Sequence, residues 1–209
     1  MIFYTRQFAQ ADSALRQGKH ISRNDYTTYE FLTQNYGELE RFYASYPARL
    51  VQHPDGFFFL LPKGDLIPSR LLPKSVMHIG QFIALKCRDP EITKSDGRIS
   101  LAALINDLET SVPADTLSKV YAHRQKEVLS GGRIHEEVRR ALRTLDELQF
   151  IRMDSETLTP LEAIHRFAEV ARHGGALDET SALALLLQRG VVTEQDEGGE
   201  EEIDDVRQD

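Results

Sequence analysis

The chain of 209 residues carries 33 acidic and 25 basic side chains, a formal net charge of −8, and a single cysteine. One cysteine excludes a disulfide framework and a thiolate zinc site, and this usage is typical of a reducing cytoplasm. No uninterrupted apolar leader opens the sequence, and no stretch approaches the ~18 apolar residues of a membrane span, so we expect a cytoplasmic protein without a membrane segment.

The first half of the chain predicts the order helix, strand, helix, helix, hairpin. Phe8, Ala11 and Leu15 share one face of an opening helix, and Ile21 lies in a short extended segment. A second helix is predicted from about Asp25, and a third in GELERFYASYP, which ends before its proline. The segments ARLVQ and FFFLL then flank the turn HPDG, which predicts a hairpin.

The second half predicts the same order after the loop LIPSRLLP. A long apolar helix is expected from Ser75 to about Lys86, Ile99 lies on a short strand, and Ser100 caps the next helix. A more polar segment, residues 114–129, is expected to be partly helical. It leads to IHEEVRRALRTLDEL, whose apolar residues form a continuous core stripe.

A smaller hairpin and one more helix complete this half. The turn DSE separates two short extended runs, and Thr159, Pro160 and Glu162 predict a capping box with proline in the first helical position. Because the same order occurs twice, the predicted fold class is mainly α with short β-hairpins (α+β). We expect tandem winged-helix domains in residues 1–73 and 74–172, plus a C-terminal helical extension.

The C-terminal part divides into an apolar helix and an acidic tail. In LDETSALALLLQRG, apolar residues lie nearly all round the helix, so the extension, residues 173–192, is expected to be covered by its own domain or by a partner chain. Residues 193–209 hold nine acidic residues and one basic residue, which is the whole net charge of −8. This segment is expected to be a disordered acidic tail. The candidate partner contacts of the extension are Leu183, Leu186 and Leu187.

Three segments resemble the MukE family: DSALRQGKHI, the run from TYEFLTQNYGELERF through FFFLLPKGDLIPSRLL, and EEVRRALRTLDELQF. The family comprises the kleisin-associated subunits of the bacterial condensin MukBEF and its MksBEF relatives, and the resemblance covers most of residues 11–172. It implies a tandem winged-helix subunit that forms a homodimer and binds a MukF-like kleisin. It also implies that this subunit regulates loading of a MukB-like SMC ATPase on DNA, at the nucleoid.

No motif in the sequence predicts catalysis. There is no G-x-x-x-x-G-K-[ST] phosphate loop, no H-E-x-x-H metal motif and no G-x-S-x-G around a serine. His165 and His173 are eight residues apart and no cysteine or acidic group is placed to complete a metal site with them. We therefore expect a protein that is not an enzyme and that uses no cofactor and no metal.

Charge distinguishes protein binding from DNA binding in the two predicted domains. Residues 25–46 hold four acidic residues and one basic residue, a net of −3, and phosphates would repel such a surface. Residues 119–143 hold seven basic and three acidic residues, a net of +4. They predict either weak, sequence-independent phosphate contact or a solvated helix with internal ion pairs. The candidate phosphate contacts are Lys119, Arg124, Lys126, Arg133, Arg139, Arg140 and Arg143.

The run FFFLL after HPDG is apolar on both faces of one strand. Neighbouring side chains point to opposite faces, so either Phe57, Phe59 and Leu61 or the alternate set, Phe58 and Leu60, fills the core of the first domain. We expect the other set to contact another chain. Phe58 and Leu60 are the candidates for this dimer or kleisin contact, with Phe57 and Phe59 in the core.

Two alternatives to a chromosomal condensin subunit follow from the same residues. The first is the equivalent subunit of a plasmid-restricting SMC system of the Wadjet kind. The second is a winged-helix transcription regulator, which requires a basic third helix to reach the major groove. The charge counts above argue against the regulator.

Overall fold

The structure is a computed structural model that describes residues 2–63, 66–67, 71–88, 97–121 and 131–172. Within these ranges, the chain forms eight α-helices and two three-stranded antiparallel sheets. The predicted mainly helical fold with short hairpins is therefore confirmed. The winged-helix assignment of each repeat and the boundary at residue 73 stay predictions, and the C-terminal extension and tail lie outside the described residues.

The first unit, residues 2–63, follows the predicted order of elements. Thr5 caps the first helix by accepting a hydrogen bond of 3.2 Å from the Phe8 N–H, and Asp25 caps the second through the Thr28 N–H at 3.3 Å. The elements are α1 (Arg6–Arg16), β1 (Ile21–Ser22), α2 (Tyr26–Gln34), α3 (Tyr36–Ala44), β2 (Ala48–His53) and β3 (Phe57–Pro62). In the sheet, β3 lies between β1 and β2.

One face of each element fills the core of the first unit. Leu15 of α1, Leu32 of α2 and Leu39 of α3 are fully buried together, as their helical spacing predicts. Tyr43 is buried beside them, and its hydroxyl donates to the Asp12 carboxylate at 3.1 Å. The hydroxyl therefore has a partner, which removes the cost of burying an unpaired polar group.

The second unit, residues 71–172, repeats this sheet order, with its last strand in the centre. Ser100 precedes the second helix and its hydroxyl accepts from the Ala103 N–H at 3.5 Å, so the predicted cap is present. The elements are α4 (Lys74–Lys86), β4 (Ile99–Ser100), α5 (Leu101–Ser111), α6 (Ala114–Tyr121), α7 (Gly131–Glu147), β5 (Ile151–Met153), β6 (Thr157–Pro160) and α8 (His165–Arg172).

The predicted capping box after the second hairpin is wrong. Thr159 and Pro160 belong to β6, where they pair with Arg152 and Ile151 of β5. The ladder continues when the Leu161 N–H donates to the Phe150 carbonyl at 3.0 Å. Hydrogen bonds to a neighbouring strand therefore replace those of a local helix, and α8 begins only after a 3₁₀ turn, Glu162–Ile164.

Helix α4 is the centre of the second unit. It packs against both α7 and α8, and its buried side chains include Ile79, Phe82 and Ile83. At Gly80, the helix approaches the Phe167 ring of α8 so closely that an added Cβ would lie 2.8 Å from the ring. The absence of a side chain at this position therefore allows α8 to lie directly on α4.

Candidate interaction surfaces

The two faces of β3 are used in the reverse of the expected way. Phe58 and Leu60 lie in the core of the first unit, and Phe58 is 0% exposed. Phe57 is equally buried but belongs to the core of the second unit, against which Phe59 also packs. Phe58 and Leu60 are therefore not an available surface for another chain, because their own unit covers them. The second face of the strand contacts the other half of the same chain.

The contact between the two units is centred on His20, which precedes β1 and is only 5% exposed. Its backbone N–H donates to the Leu148 carbonyl at 3.0 Å, and its ring Nδ1 lies 3.0 Å from the same oxygen. On the other side of the ring, Nε2 lies 2.6 Å from Nη1 of Arg166 in α8. The imidazole therefore joins two separate elements of the second unit to the first.

These contacts fix the protonation of His20. A guanidinium group can only donate, so Nε2 accepts from Arg166, and Nδ1 carries the proton that is donated to the Leu148 carbonyl. Burial disfavours the charged ring, as does the neighbouring Arg166 charge, and together they lower the His20 pKa from 6.5 to about 3. The histidine is neutral at physiological pH, which its hydrogen bonds require.

Aromatic rings surround this polar contact. The His20 ring centroid lies 4.2 Å from that of Phe150 and 5.7 Å from that of Phe59. The Arg166 guanidinium carbon lies 4.0 Å from the Phe59 ring centroid, within cation–π distance. A half-buried positive charge is thus held between an imidazole nitrogen and a ring of the other unit.

The Leu148 carbonyl is available because α7 ends just before it. The last carbonyls of a helix have no partner within the helix. Here the chain turns through Gln149, whose φ of 61° lies in the left-handed region, and the Phe150 N–H returns to the Leu145 carbonyl at 2.9 Å. His20 then supplies two donors to Leu148, so the first unit satisfies a helix end of the second.

A second buried histidine lies on α4. His78 is hydrogen-bonded through Nδ1 to the Tyr121 hydroxyl at 2.9 Å, and burial lowers its pKa to about 4. Its Nε2 is buried and has no hydrogen-bond partner among the described residues. This pair joins α4 to α6 inside the second unit and is not part of the contact between units.

Helix α7 carries the predicted basic surface. Arg139 and Arg143 are exposed and make no ion pair within the described part of the chain, whereas Arg140 pairs with Glu137 at 2.9 Å. Asp146, on the same helix, is half-buried and accepts from the Met153 N–H at 2.9 Å. Arg133 and Lys119 are also exposed, whereas Arg124 and Lys126 lie outside the described residues.

Exposed apolar side chains follow the buried part of β3 along the chain. Leu61 is 37% exposed at the end of the strand, and Leu66 and Leu71, in the segment before α4, are also exposed. The leucines that we expected to contact a partner, Leu183, Leu186 and Leu187, lie outside the described residues. The contact of these three leucines with a partner chain therefore stays a prediction.

In the described ranges, no three histidine, cysteine, aspartate or glutamate residues come together as metal ligands would. In the same ranges, none of the helices has the length and apolar character that crossing a membrane requires.

Comparison with known proteins gives a consistent result. The sequence profile described as "Condensin complex protein MksE" matches residues 6–172. The chromosome partition protein MukE of Escherichia coli O157:H7 is 31% identical over 188 residues, which cover 88% of this chain and 83% of the relative. The chain belongs to the MksE/MukE family.

Other members have similar identity. MukE of Photorhabdus laumondii is 30% identical over 172 residues, which cover 80% of this chain and 74% of the relative. MukE of Yersinia pestis is 30% identical over 188 residues, which cover 88% and 80%. The resemblance inferred from the sequence is thereby confirmed. The matched residues 6–172 contain both units and the His20 contact but end before the C-terminal leucines.

Proposed function

We propose that the protein is a non-enzymatic subunit of a bacterial condensin complex and acts in chromosome partition. The observation that carries this proposal is the family match over residues 6–172, which includes both units and not one of them alone. The relatives named as chromosome partition proteins are aligned over most of their own length, 83% for the Escherichia coli O157:H7 protein.

We also propose that the subunit forms a homodimer and binds a kleisin, and through it an SMC ATPase whose loading on DNA it regulates. Support comes from Leu61, Leu66 and Leu71, which are exposed and near one another in the sequence, since exposed apolar surface is typical of protein interfaces. The apolar sequence LDETSALALLLQRG, which lies outside the described residues, predicts a further partner contact through Leu183, Leu186 and Leu187. A nucleoid-associated location follows from this role.

The charges of the first unit support protein binding over DNA reading. Glu38 and Glu40 are exposed on α3, the helix that would have to enter the major groove. The exposed Arg41 on this helix donates its Nε–H to the Gly37 carbonyl at 3.0 Å. A negative helix would be repelled by phosphates, so a free transcription regulator fits this surface poorly.

Weak, sequence-independent contact with DNA through α7 is compatible with the same role. Arg139 and Arg143 are four residues apart on the exposed face and can each neutralise one phosphate. Contacts of this kind position a protein on DNA but do not read its sequence.

The test is affinity purification of the tagged chain from its own bacterium, followed by mass spectrometry and size-exclusion chromatography with light scattering. We expect a kleisin and an SMC ATPase to co-purify, and we expect the isolated chain to elute as a dimer. The variant Leu61→Asp should reduce the amount of kleisin recovered more than the control variant Arg41→Asp does. A chain that elutes as a monomer and recovers neither protein would overturn the proposal.

Two further measurements separate the alternatives. Tight, sequence-selective binding of a DNA duplex by the isolated chain at physiological salt would indicate a transcription regulator. Deletion of the gene should increase the number of anucleate cells if the target is the chromosome. If the deletion instead only improves the maintenance of introduced plasmids, the protein belongs to a plasmid-restricting system.

A further inference from the structure

Apart from Phe57, the two units have separate cores, and aromatic rings of both units meet at the contact between them. Among the buried core residues of the described chain, Phe57 is the one that leaves the core of its own unit for that of the other. Aromatic contact alone is weakly directional, because apolar burial depends on area and not on a fixed geometry. Something else must set the orientation of one unit on the other.

The hydrogen bonds of His20 supply that direction. The Leu148 carbonyl and the Arg166 guanidinium lie on opposite sides of the imidazole, at 3.0 and 2.6 Å from its two nitrogens. Loss of either partner would leave a buried polar group unsatisfied, which costs more than the hydrogen bond itself contributes. Both hydrogen bonds of the His20 ring can therefore form in only one arrangement of the two units.

We propose that His20 and Arg166 form a latch that holds the two units in one orientation, and that its loss lets them separate while each stays folded. This inference concerns the isolated chain and does not depend on the partners proposed above. Separation would uncover the Phe57 and Phe59 side of β3, which the second unit covers in the latched state. The latch would thus control access to an apolar surface.

Amide hydrogen exchange measured by NMR on the full chain tests this directly. The His20 amide donates across the contact between units, so its protection reports the latch. The Val51 amide, opposite Phe59 in the β2–β3 hairpin, and the Leu142 amide in α7 report the two units themselves. In Arg166→Met, we expect exchange at the His20 amide to rise tenfold or more, with the other two unchanged.

A second variant and a control make the outcome decisive. His20→Asn keeps a side-chain N–H on the Leu148 side but cannot reach Arg166 and should give the same selective increase at position 20. Arg143→Met removes an exposed arginine and should leave all three amides unchanged. If exchange becomes faster at all three amides in both Arg166→Met and His20→Asn, the two units unfold together as a single cooperative core. That result would overturn the proposal, as would unchanged exchange at position 20.

Discussion

Truncation of Phe58 to alanine tests the assignment of the two faces of β3. The side chain is 0% exposed, with the Tyr29 and Tyr36 rings 5.2 and 6.2 Å away from its own ring. Removing a buried phenyl group costs its transfer free energy and leaves a cavity, about 3–5 kcal/mol in total. A unit of this length has a stability of about 3–9 kcal/mol, so the substitution should remove about a third of it or more.

Urea unfolding followed by tyrosine fluorescence suits this measurement. The chain has no tryptophan, and six of its seven tyrosines precede residue 63, so the signal reports mainly the first unit. The free energy of unfolding is obtained by linear extrapolation to zero urea. Leu61→Ala is the control, because that side chain is 37% exposed on the same strand and its truncation should cost less than about 1 kcal/mol.

The reasoning fails if Phe58→Ala costs less than about 1 kcal/mol or if Leu61→Ala costs more than Phe58→Ala. Recovery of a bound kleisin should be measured on the same two variants. If Phe58→Ala were as stable as the unmodified chain but lost the kleisin, the side chain would contact a partner and would not be part of the core.

Other perturbations test the helix packing, the buried histidine and the basic face. Gly80→Ala should lower the free energy of unfolding by about 1–3 kcal/mol, because the methyl group would lie 2.8 Å from a ring of α8. Gly37→Ala, whose methyl group meets nothing within 4 Å, should raise it by up to about 1 kcal/mol. The His20 pKa is about 3 in the fold against 6.5 ordinarily, so its contribution is complete above pH 6.5 and is lost as pH falls from 6.5 towards 3. The slope should be about 1.4 kcal/mol per pH unit. Arg139→Glu with Arg143→Glu should weaken binding to a random duplex and reduce the slope of log K against log salt by about 2.

Each of these predictions would be contradicted by a specific result. Equal melting temperatures for Gly80→Ala and Gly37→Ala would mean that α8 does not lie directly on α4. A His20→Gln variant whose urea midpoint changes with pH between 7.5 and 5.5 as strongly as that of the unmodified chain would show that His20 is not neutral and buried. An unchanged salt slope in the double arginine variant would place any DNA contact elsewhere.

The local signals in the sequence predicted the elements well. Leu15, Leu32 and Leu39 are buried because helical periodicity places each of them on one face. Asp25 and Ser100 cap helices as their residue types predict, since a short polar side chain can accept from the N–H groups of the first turn. Information of this kind lies within a few residues of the chain, where a sequence pattern can show it.

Choices that depend on distant partners could not be predicted. Phe57 and Phe58 are the same residue type, and only the presence of the second unit decides which of them leaves the first core. His20 and Arg166 are 146 residues apart, and although His20 lies in the segment DSALRQGKHI, no local pattern joins it to Arg166. Thr159 and Pro160 predicted a helix start because their strand partner in β5 is not visible in the local pattern.

Phe57 and His20 make the second unit depend on residues of the first. A fragment beginning at residue 74 would lack the phenyl ring that fills part of its core and the two N–H donors that satisfy the Leu148 carbonyl. Such a fragment would carry a cavity and an uncapped helix end, and each of these costs stability. The second unit on its own is thus less stable than in the full chain, and recombination that exchanges it between relatives should preserve Phe57 and His20.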